Sequence, residues 1–205
     1  MEYAAVVIGS YLIGSIPVGL VLGKLRGVDV RAHGSGKTGA SNVLRILGTK
    51  YAVIALICDV LKGVIAVLLA RYILESYTWE IAAAFAAIAG HNWSVFIRFG
   101  GGRGVATAGG AQFAMAMPAP MVSVAAIGIF ILVVAIYRYA SLGSIIGSLG
   151  AVAMMGAFLA VDWVPWQYFV YTGSATALII LVHHDNIARL LSGTEAKVGE
   201  KGELS

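Results

Sequence analysis

A stretch rich in glycine, serine and basic residues, positions 33–45, contains the residues of this chain whose types and spacing could do chemistry. Its sequence is HGSGKTGASNVLR. Glycines and serines let several backbone N–H groups converge on an anion without interference from Cβ atoms, and Lys37 and Arg45 add positive charge. We therefore expect a phosphate or carboxylate to bind here. A glycine-rich turn between two membrane helices, carrying ordinary basic residues, fits the same stretch.

A nucleotide-binding loop is one alternative that the residues exclude. Gly36, Lys37 and Thr38 match the end of the P-loop motif, but that motif needs a glycine where this chain has Arg31. It also needs a preceding β-strand, whereas an apolar, helix-length run precedes this stretch. We expect neither a nucleotide nor a nucleic acid as a partner.

Three later segments also combine glycines with polar or basic side chains. Residues 90–107 place glycines at positions 100–102 and 104 around Arg103. Residues 138–144 include Ser141, and residues 183–197 include His183, Asn186 and Arg189. Glycines in such a number are too flexible to favour a helix, which indicates a backbone shaped around a ligand.

Familiar catalytic groupings are missing from these segments. No aspartate follows His91 at the spacing of a His–Asp acyltransferase pair, and the four histidines and Cys58 form no metal-ligand pattern. The abundant residues are cations suited to anions, namely Lys37, Arg45, Arg103 and Arg189. Such a set is sufficient for two phosphates, and it suits a reaction that needs positioning and charge neutralisation more than a strong base.

The composition defines the elements that must position these residues. Hydrophobic residues make up 60% of the chain, charged residues only 12%, and the mean hydropathy is +0.89, values typical of an integral membrane protein. We predict an all-α, polytopic membrane helix bundle in one domain, residues 1–197, followed by a flexible polar tail, residues 198–205. About seven apolar spans are expected, at 3–23, 51–69, 79–97, 105–117, 121–137, 142–161 and 167–182.

The distribution of lysine and arginine predicts the orientation of this bundle. With the N-terminus outside and the C-terminus in the cytoplasm, every Lys and Arg faces the cytoplasm except Arg71, which is outside, and Lys62, which is within a span. All four polar segments then lie on the cytoplasmic face. We therefore expect them to build one site.

Two ionisable residues fall in the middle of the second span. Asp59 and Lys62 are three residues apart, so they share one helical face. Charges at this depth are costly and usually pair or face a cavity. The spacing favours a structural ion pair over a catalytic dyad.

The polar segments resemble the motifs of a known family, the bacterial integral-membrane acyltransferases that use acyl phosphate and glycerol-3-phosphate. The first motif is matched by Gly14, Ser15, Ile16, Pro17, Val18, Gly19, Lys24, Gly34, Ser35, Gly36, Gly39, Ala40, Asn42 and Arg45. The second is matched by Gly90, His91, Phe96, Phe99 and residues 101–107. The third is matched by His183, Asn186, residues 189–191, Gly193, Glu195 and Lys197, and residues 138–142 are similar to a further segment with a functional serine.

The resemblance implies a reaction. A fatty acyl group would pass from acyl phosphate to the sn-1 hydroxyl of glycerol-3-phosphate, giving lysophosphatidic acid and inorganic phosphate. This would be the first acylation of phospholipid synthesis, without metal or other cofactor, among the lipids of the bacterial cytoplasmic (inner) membrane and with the site facing the cytoplasm. No side chain is an obvious general base, so a substrate phosphate oxygen could accept the proton.

The resemblance also implies roles for individual residues. The catalytic residues would be Ser35, Ser141, Arg103 and His183. The substrate-binding residues would be Gly34, Gly36, Ser41, Asn42, Arg45, Gly101, Gly102, Gly104, Asn186 and Arg189. Within this set, Arg45, Asn42, His183 and Asn186 would hold glycerol-3-phosphate, while Arg103 and the glycine amides would hold acyl phosphate. Ser35 and Ser141 would orient the hydroxyl or the carbonyl.

The chain departs from the family pattern at several positions. It has Lys37 for asparagine, Ser41 for threonine, Ser94 for proline and Val182 for arginine. At positions 100 and 103 the family has two lysines, whereas this chain has glycine and arginine. Lys37 either replaces the missing charge or faces solvent. These departures bear on substrate affinity more than on the type of reaction.

A non-catalytic anion transporter or channel with the same basic cup is the competing class. Transport requires access from both faces of the membrane. The predicted outer turns offer only Arg71 and three acidic residues, which disfavours a path for anions.

Overall fold

The computed structural model describes residues 1–200, which are built from α-helices and two short 3-10 turns, residues 30–32 and 95–97. The all-α prediction is therefore confirmed for this part of the chain. Positions 201–205 of the predicted polar tail lie outside the described residues. The helices are α1 Glu2–Ser15, α2 Val18–Lys24, α3 Ala40–Leu47, α4 Thr49–Leu74, α5 Tyr77–Asn92, α6 Val105–Ala114, α7 Ala119–Tyr137, α8 Ala140–Ala160, α9 Trp166–Val182 and α10 His184–Leu191.

The predicted apolar spans coincide with helices, but the helices differ in length. Four stretches within residues 1–200 are long and apolar enough to cross a bilayer, namely Glu2–Lys24 (α1 with α2), α4, α7 and α8. Helix α9 is apolar but shorter, at 17 residues. Pro17 separates α1 from α2, as expected for a residue that cannot donate the next helical hydrogen bond.

The third predicted span, 79–97, ends earlier in the structure than in the prediction. Helix α5 stops at Asn92, because Ser94 binds the chain to two other places. The Ser94 hydroxyl donates to the Ser15 carbonyl oxygen at 2.5 Å, and its backbone N–H donates to the Gly100 carbonyl oxygen at 2.9 Å. Residues 94–100 therefore form a tight reversal beside the end of α1.

Helix α6 is shorter than its predicted span, 105–117. Its 10 residues rise about 15 Å, which is about half of the roughly 30 Å apolar layer of a bilayer. The non-helical residues next to α6 would have to supply the remaining depth of a crossing here, in a place where protein covers the backbone.

Glycines let two pairs of helices approach until their backbones touch. Between α4 and α6, a methyl group at Gly63 would collide with the Thr107 carbonyl oxygen, and one at Gly110 would collide with the Val60 carbonyl oxygen. Between α1 and α5, Gly14 lies in the same way against Ala87. Small residues at helix contacts are typical of membrane bundles, where close packing drives association.

The outer surface of the bundle is apolar. Large aliphatic side chains on α1, α4 and α7 are exposed, including Ile8 at 59%, Ile57 at 53% and Ile131 at 59%. Apolar surface on this scale fits contact with lipid rather than with water.

A buried polar clamp ties the helices together at the end of the bundle formed by the α4–α5 turn. Glu80, which is 2% exposed, accepts hydrogen bonds from Arg71 Nε and Nη2 at 2.9 Å each and from the Tyr168 hydroxyl at 2.9 Å. The Tyr168 hydroxyl oxygen in turn accepts the Ala116 N–H at 3.1 Å. The clamp thereby joins α4, α5 and α9 to the turn that follows α6.

Candidate active site

The glycine-rich loop before α3 is folded around the side chain of Asn42, which is 3% exposed. Its Oδ1 accepts the Ser35 N–H at 2.9 Å, and its Nδ2 donates to the carbonyl oxygens of Val30 at 2.9 Å and Lys37 at 2.8 Å. A longer contact of 3.2 Å joins Nδ2 to the His33 carbonyl oxygen. The Asn42 carboxamide is thus fully used in shaping the loop.

Two glycines of this loop adopt backbone conformations that other residues avoid. Gly34 has φ +59° and Gly36 has φ +68°. A methyl group at Gly34 would also meet Asn42 Oδ1 and lie 3.5 Å from Arg45 Cδ, so the Arg45 side chain passes next to the loop. Ser41 is exposed at the start of α3.

The second glycine segment is packed against this loop. The Thr38 N–H donates to the Gly101 carbonyl oxygen at 3.3 Å, and the Gly102 N–H donates to the His91 carbonyl oxygen at 3.0 Å. Gly104, with φ +71°, then starts α6. These contacts fix the backbone that leads into Arg103, since Gly101 is bonded to the first loop and Gly102 to the last turn of α5.

Glu195 joins the third and fourth polar segments. Its carboxylate accepts hydrogen bonds from the Ser141 hydroxyl at 2.7 Å, Asn186 Nδ2 at 2.6 Å and Arg189 Nε at 2.8 Å. Burial by itself would raise the pKa of the Glu195 carboxyl, but these three hydrogen bonds together lower the pKa below its usual value. The carboxylate is therefore ionised and occupies donors that could equally bind a phosphate.

Arg103 is a partly buried cation with other charged residues nearby. Burial lowers the pKa of its guanidinium, and the nearby positive charges of Arg189 and Arg45 lower it further, against the opposing effects of Glu195 and Asp185. Its Nε is buried without a hydrogen-bond partner among residues 1–200. Because like charges repel and a buried donor prefers an acceptor, this arrangement favours a bound anion.

His183 is buried at the end of α9, with 3% of its surface exposed. Its Nδ1 lies 2.7 Å from the Ile179 carbonyl oxygen, which can only accept, so Nδ1 carries the proton and Nε2 presents a lone pair. Burial lowers the pKa of His183 to about 4, and the charge of Arg103 contributes to the shift. At neutral pH the ring is therefore a hydrogen-bond acceptor rather than a cation.

The structure brings the four polar segments together. The Thr38–Gly101 bond joins the first to the second, the charges felt by Arg103 place it near the fourth, and the Ser141–Glu195 bond joins the third to the fourth. We call this group of segments the basic cup. Lys37 is partly exposed, and within residues 1–200 no three His, Cys, Asp or Glu side chains are grouped so as to hold a metal ion.

Sequence reasoning missed Glu195 as a site residue. It belongs to the third motif, but an acidic residue contradicts the simple expectation of a cup lined by cations. A signal was available in the pattern of charges, since Arg189 and Glu195 stand six residues apart on either side of Gly193. Gly193, with φ +70°, reverses the chain and allows the pairing.

Fold and site together define a class, the helical membrane proteins that gather arginines and glycine backbone at one polar end. The chain belongs to the glycerol-3-phosphate acyltransferase family, whose model matches residues 4–193. It is therefore a membrane acyltransferase of phospholipid biosynthesis. Membership of this family favours an enzyme over the transporter or channel that the sequence had left as an alternative.

Curated relatives and solved structures agree with this assignment. A glycerol-3-phosphate acyltransferase 2 of Moorella thermoacetica is 47% identical over 194 residues, 94% of this chain and 95% of the relative. A glycerol-3-phosphate acyltransferase of Trichlorobacter lovleyi is 44% identical over 189 residues, 92% and 94% of the two chains.

The crystal structures are those of PlsY (YgiH), an integral membrane glycerol 3-phosphate acyltransferase. Its glycerol 3-phosphate form superposes with a TM-score of 0.87 at 39% identity, covering 97% of this chain and 96% of that chain. Its lysophosphatidic acid form superposes with a TM-score of 0.85 at 38% identity, covering 98% and 97%.

Proposed function

We propose that this enzyme transfers a fatty acyl group from acyl phosphate to the sn-1 hydroxyl of glycerol-3-phosphate, releasing inorganic phosphate and lysophosphatidic acid. The observation that carries the proposal is the set of contacts that joins the four polar segments, from Thr38 to Gly101 and from Glu195 to Ser141 and Arg189, with Arg103 in the electrostatic range of Arg45 and Arg189. Three guanidiniums suit two phosphorylated substrates held side by side. The relatives' names and the glycerol 3-phosphate form of PlsY support the acceptor.

The two phosphates would bind to different parts of the basic cup. Arg45, with His183 and Asn186, would hold glycerol-3-phosphate. Arg103 and the amides of the glycine segment 101–104 would hold acyl phosphate. Asn42, whose carboxamide is used inside its loop, would contribute by placing Ser35 and the neighbouring amides rather than by touching the substrate.

The reaction would then need little beyond positioning and charge neutralisation. The sn-1 oxygen forms a bond to the acyl carbon, and the bond from that carbon to the bridging phosphate oxygen breaks. Phosphate leaves with its negative charge compensated by the guanidiniums. The hydroxyl proton passes to a substrate phosphate oxygen, while Ser35 and Ser141 orient the reacting groups.

We also propose the membrane arrangement. The bundle is one domain, residues 1–197, that crosses the bacterial inner membrane about seven times, with the N-terminus outside and the basic cup facing the cytoplasm. The support is the bias of lysine and arginine toward one side. Residues 198–200 continue past the domain, and residue 198 contacts the α7–α8 turn through Arg138.

The direct test is an assay of phosphate release by the purified protein in detergent. With acyl phosphate supplied, release should require glycerol-3-phosphate and should be matched by formation of lysophosphatidic acid. The same reaction is run with the acyl thioesters of coenzyme A and of acyl carrier protein as alternative donors. Acylation from a thioester, with no phosphate released from acyl phosphate, would overturn the proposed donor.

A further inference from the structure

Three buried ionisable side chains form a network that the proposed mechanism does not use. Asp59 and Lys62 lie on α4 and His91 lies in the last turn of α5, with side chains 3%, 6% and 6% exposed. Asp59 Oδ1 is 2.6 Å from Lys62 Nζ and 3.4 Å from His91 Nδ1. The ion pair expected from the sequence is therefore present, and His91 extends it to a second helix.

His91 lies in contact with Gly101 and Gly102 of the glycine segment. Its carbonyl oxygen accepts the Gly102 N–H at 3.0 Å. A methyl group at Gly102 would overlap the Nε2 edge of the His91 ring, and one at Gly101 would overlap the His91 carbonyl oxygen. Ring and backbone of one residue thus define where the segment runs.

The glycine segment, residues 101–104, contacts the basic cup at two points, so its position affects both. Gly101 accepts the Thr38 N–H at 3.3 Å and so bears on the first loop. Gly102 directly precedes Arg103, whose guanidinium would hold a substrate phosphate. A shift of the His91 ring would therefore move both the phosphate-binding amides and the Arg103 side chain.

We propose that Asp59, Lys62 and His91 are positioning residues for the acyltransferase reaction. The charged pair on α4 holds the His91 ring, and the ring holds the glycine segment in the conformation that binds a substrate phosphate. The inference rests on the proposed function in one respect, since it takes the glycine segment as a phosphate site. A buried ion pair contributes little net stability, so its role at this depth is to fix the geometry of its neighbours.

Two variants weaken the network in different ways. His91→Asn keeps an amide that can reach Asp59 in place of Nδ1 but leaves the space beside Gly102 empty. The double variant Asp59→Asn with Lys62→Met removes both charges together, so that neither is left buried alone. The matched control is Glu80→Gln, which weakens another ion pair with a buried carboxylate, in the clamp at the end of the bundle formed by the α4–α5 turn.

The experiment measures kcat and KM for each substrate in detergent, together with the thermal unfolding midpoint. Both network variants should raise KM at least tenfold for acyl phosphate, whose phosphate the glycine segment would hold. KM for glycerol-3-phosphate should rise less, because the segment reaches the first loop only through the Thr38–Gly101 bond. Glu80→Gln should leave both KM values within twofold, whatever its effect on unfolding.

The outcomes separate this proposal from the proposed function. Wild-type turnover decides the acyl donor, and if the donor is a thioester the same comparison is made with that thioester. Unchanged KM values in folded network variants would overturn the positioning role. Loss of folded protein in both network variants, with Glu80→Gln folded, would assign the network to stability and would overturn it as well.

Discussion

At the scale of single residues, the basic cup holds arginine side chains whose positive charges repel one another. Arg103 lies near Arg45 and Arg189, and burial adds to the cost of its charge. Asn186 Oδ1 is also buried without a partner among the described residues. Perturbed and unpartnered groups of this kind concentrate at functional sites, so their removal is expected to affect turnover more than stability.

Replacing Arg103 by alanine should reduce kcat/KM by about 100-fold or more. Loss of one charged donor to a developing or leaving anion typically costs about 3 kcal/mol. Phosphate release and lysophosphatidic acid formation are the measurements. Arg98→Ala is the matched control, because Arg98 belongs to the same polar segment but is exposed. Near-normal turnover of the Arg103 variant, with both substrates supplied, would remove it from the site.

His183 predicts how stability depends on pH. Burial lowers its pKa to about 4 in the folded protein, against the ordinary value of 6.5. Below pH 6.5 the unfolded chain takes up a proton that the folded protein does not, so this residue costs stability as the pH falls from 6.5 toward 4. The unfolding midpoint of the wild type should therefore fall more between pH 7 and pH 5 than that of His183→Asn.

The exposed neighbour of His183 supplies the control. His184→Asn should keep the wild-type response to pH, since the His184 side chain is 75% exposed. Equal responses of the wild type and His183→Asn would show that the His183 ring is not shielded in the folded protein.

The residue types of the basic cup could be predicted from the sequence, but their partners could not. Glycines beside Arg45, Arg103 and Arg189 already indicated anion binding. Spacing along the chain does not show that the Asn42 amide donates to carbonyl oxygens five and twelve residues away. Nor does it show that the Ser141 hydroxyl donates to Glu195. Such hydrogen bonds depend on three-dimensional turns at Gly34, Gly36 and Gly193.

At the scale of elements, the basic cup depends on helices that touch through glycine. Helix α6 starts at the glycine segment and lies against α4 at Gly63 and Gly110. Any change in this contact moves the first turn of α6, and with it Arg103. Helix packing and substrate binding are therefore coupled through one short helix.

Gly110→Ala should displace α6 and lower both stability and activity. The added methyl group would collide with the Val60 carbonyl oxygen, and overpacking of this kind costs about 1–3 kcal/mol. We expect a lower unfolding midpoint and at least a tenfold loss of kcat/KM. The matched control is Gly109→Ala, since a methyl group at Gly109 meets nothing within 4 Å. Equal behaviour of the two variants would refute the coupling.

Helix positions followed from hydrophobicity more closely than helix ends did. Proline at position 17 and the apolar runs predicted the long helices. The early end of α5 could not be predicted, because Ser94 stops the helix through a hydrogen bond to Ser15, which is distant in sequence. Helix α6 likewise ends before its predicted end, at Ala114, and the Ala116 N–H beyond it donates to the Tyr168 hydroxyl oxygen, which is also distant in sequence.

At the scale of the whole molecule, the chain places its polar chemistry and its apolar surface in separate regions. Basic residues gather in one group of segments, and aliphatic side chains cover the outside. The asymmetry of lysine and arginine predicted from sequence that the four segments share a face. How closely they meet required the structure, because a charge bias does not define distances.

The proposed orientation predicts which engineered cysteines are reachable from outside the cell. In a Cys58→Ala background, which removes the single native cysteine, Thr78→Cys tests the α4–α5 turn and Lys50→Cys tests the start of α4. Both positions are exposed. An impermeant maleimide should label Thr78→Cys in intact cells and Lys50→Cys only after permeabilisation. The reverse labelling pattern would show that the orientation in the membrane is opposite to the proposed one.

The short length of α6 has a kinetic consequence. Because this helix covers only about half of the apolar layer, the proposed arrangement puts the glycine segment at its start below the membrane surface. An acyl phosphate could then react there without its carbonyl leaving the bilayer. The concentration that governs the rate is in that case a two-dimensional one, the mole fraction of acyl phosphate among the membrane lipids. Diluting the donor with inert lipid should slow the enzyme even when the total amount of donor per volume is unchanged.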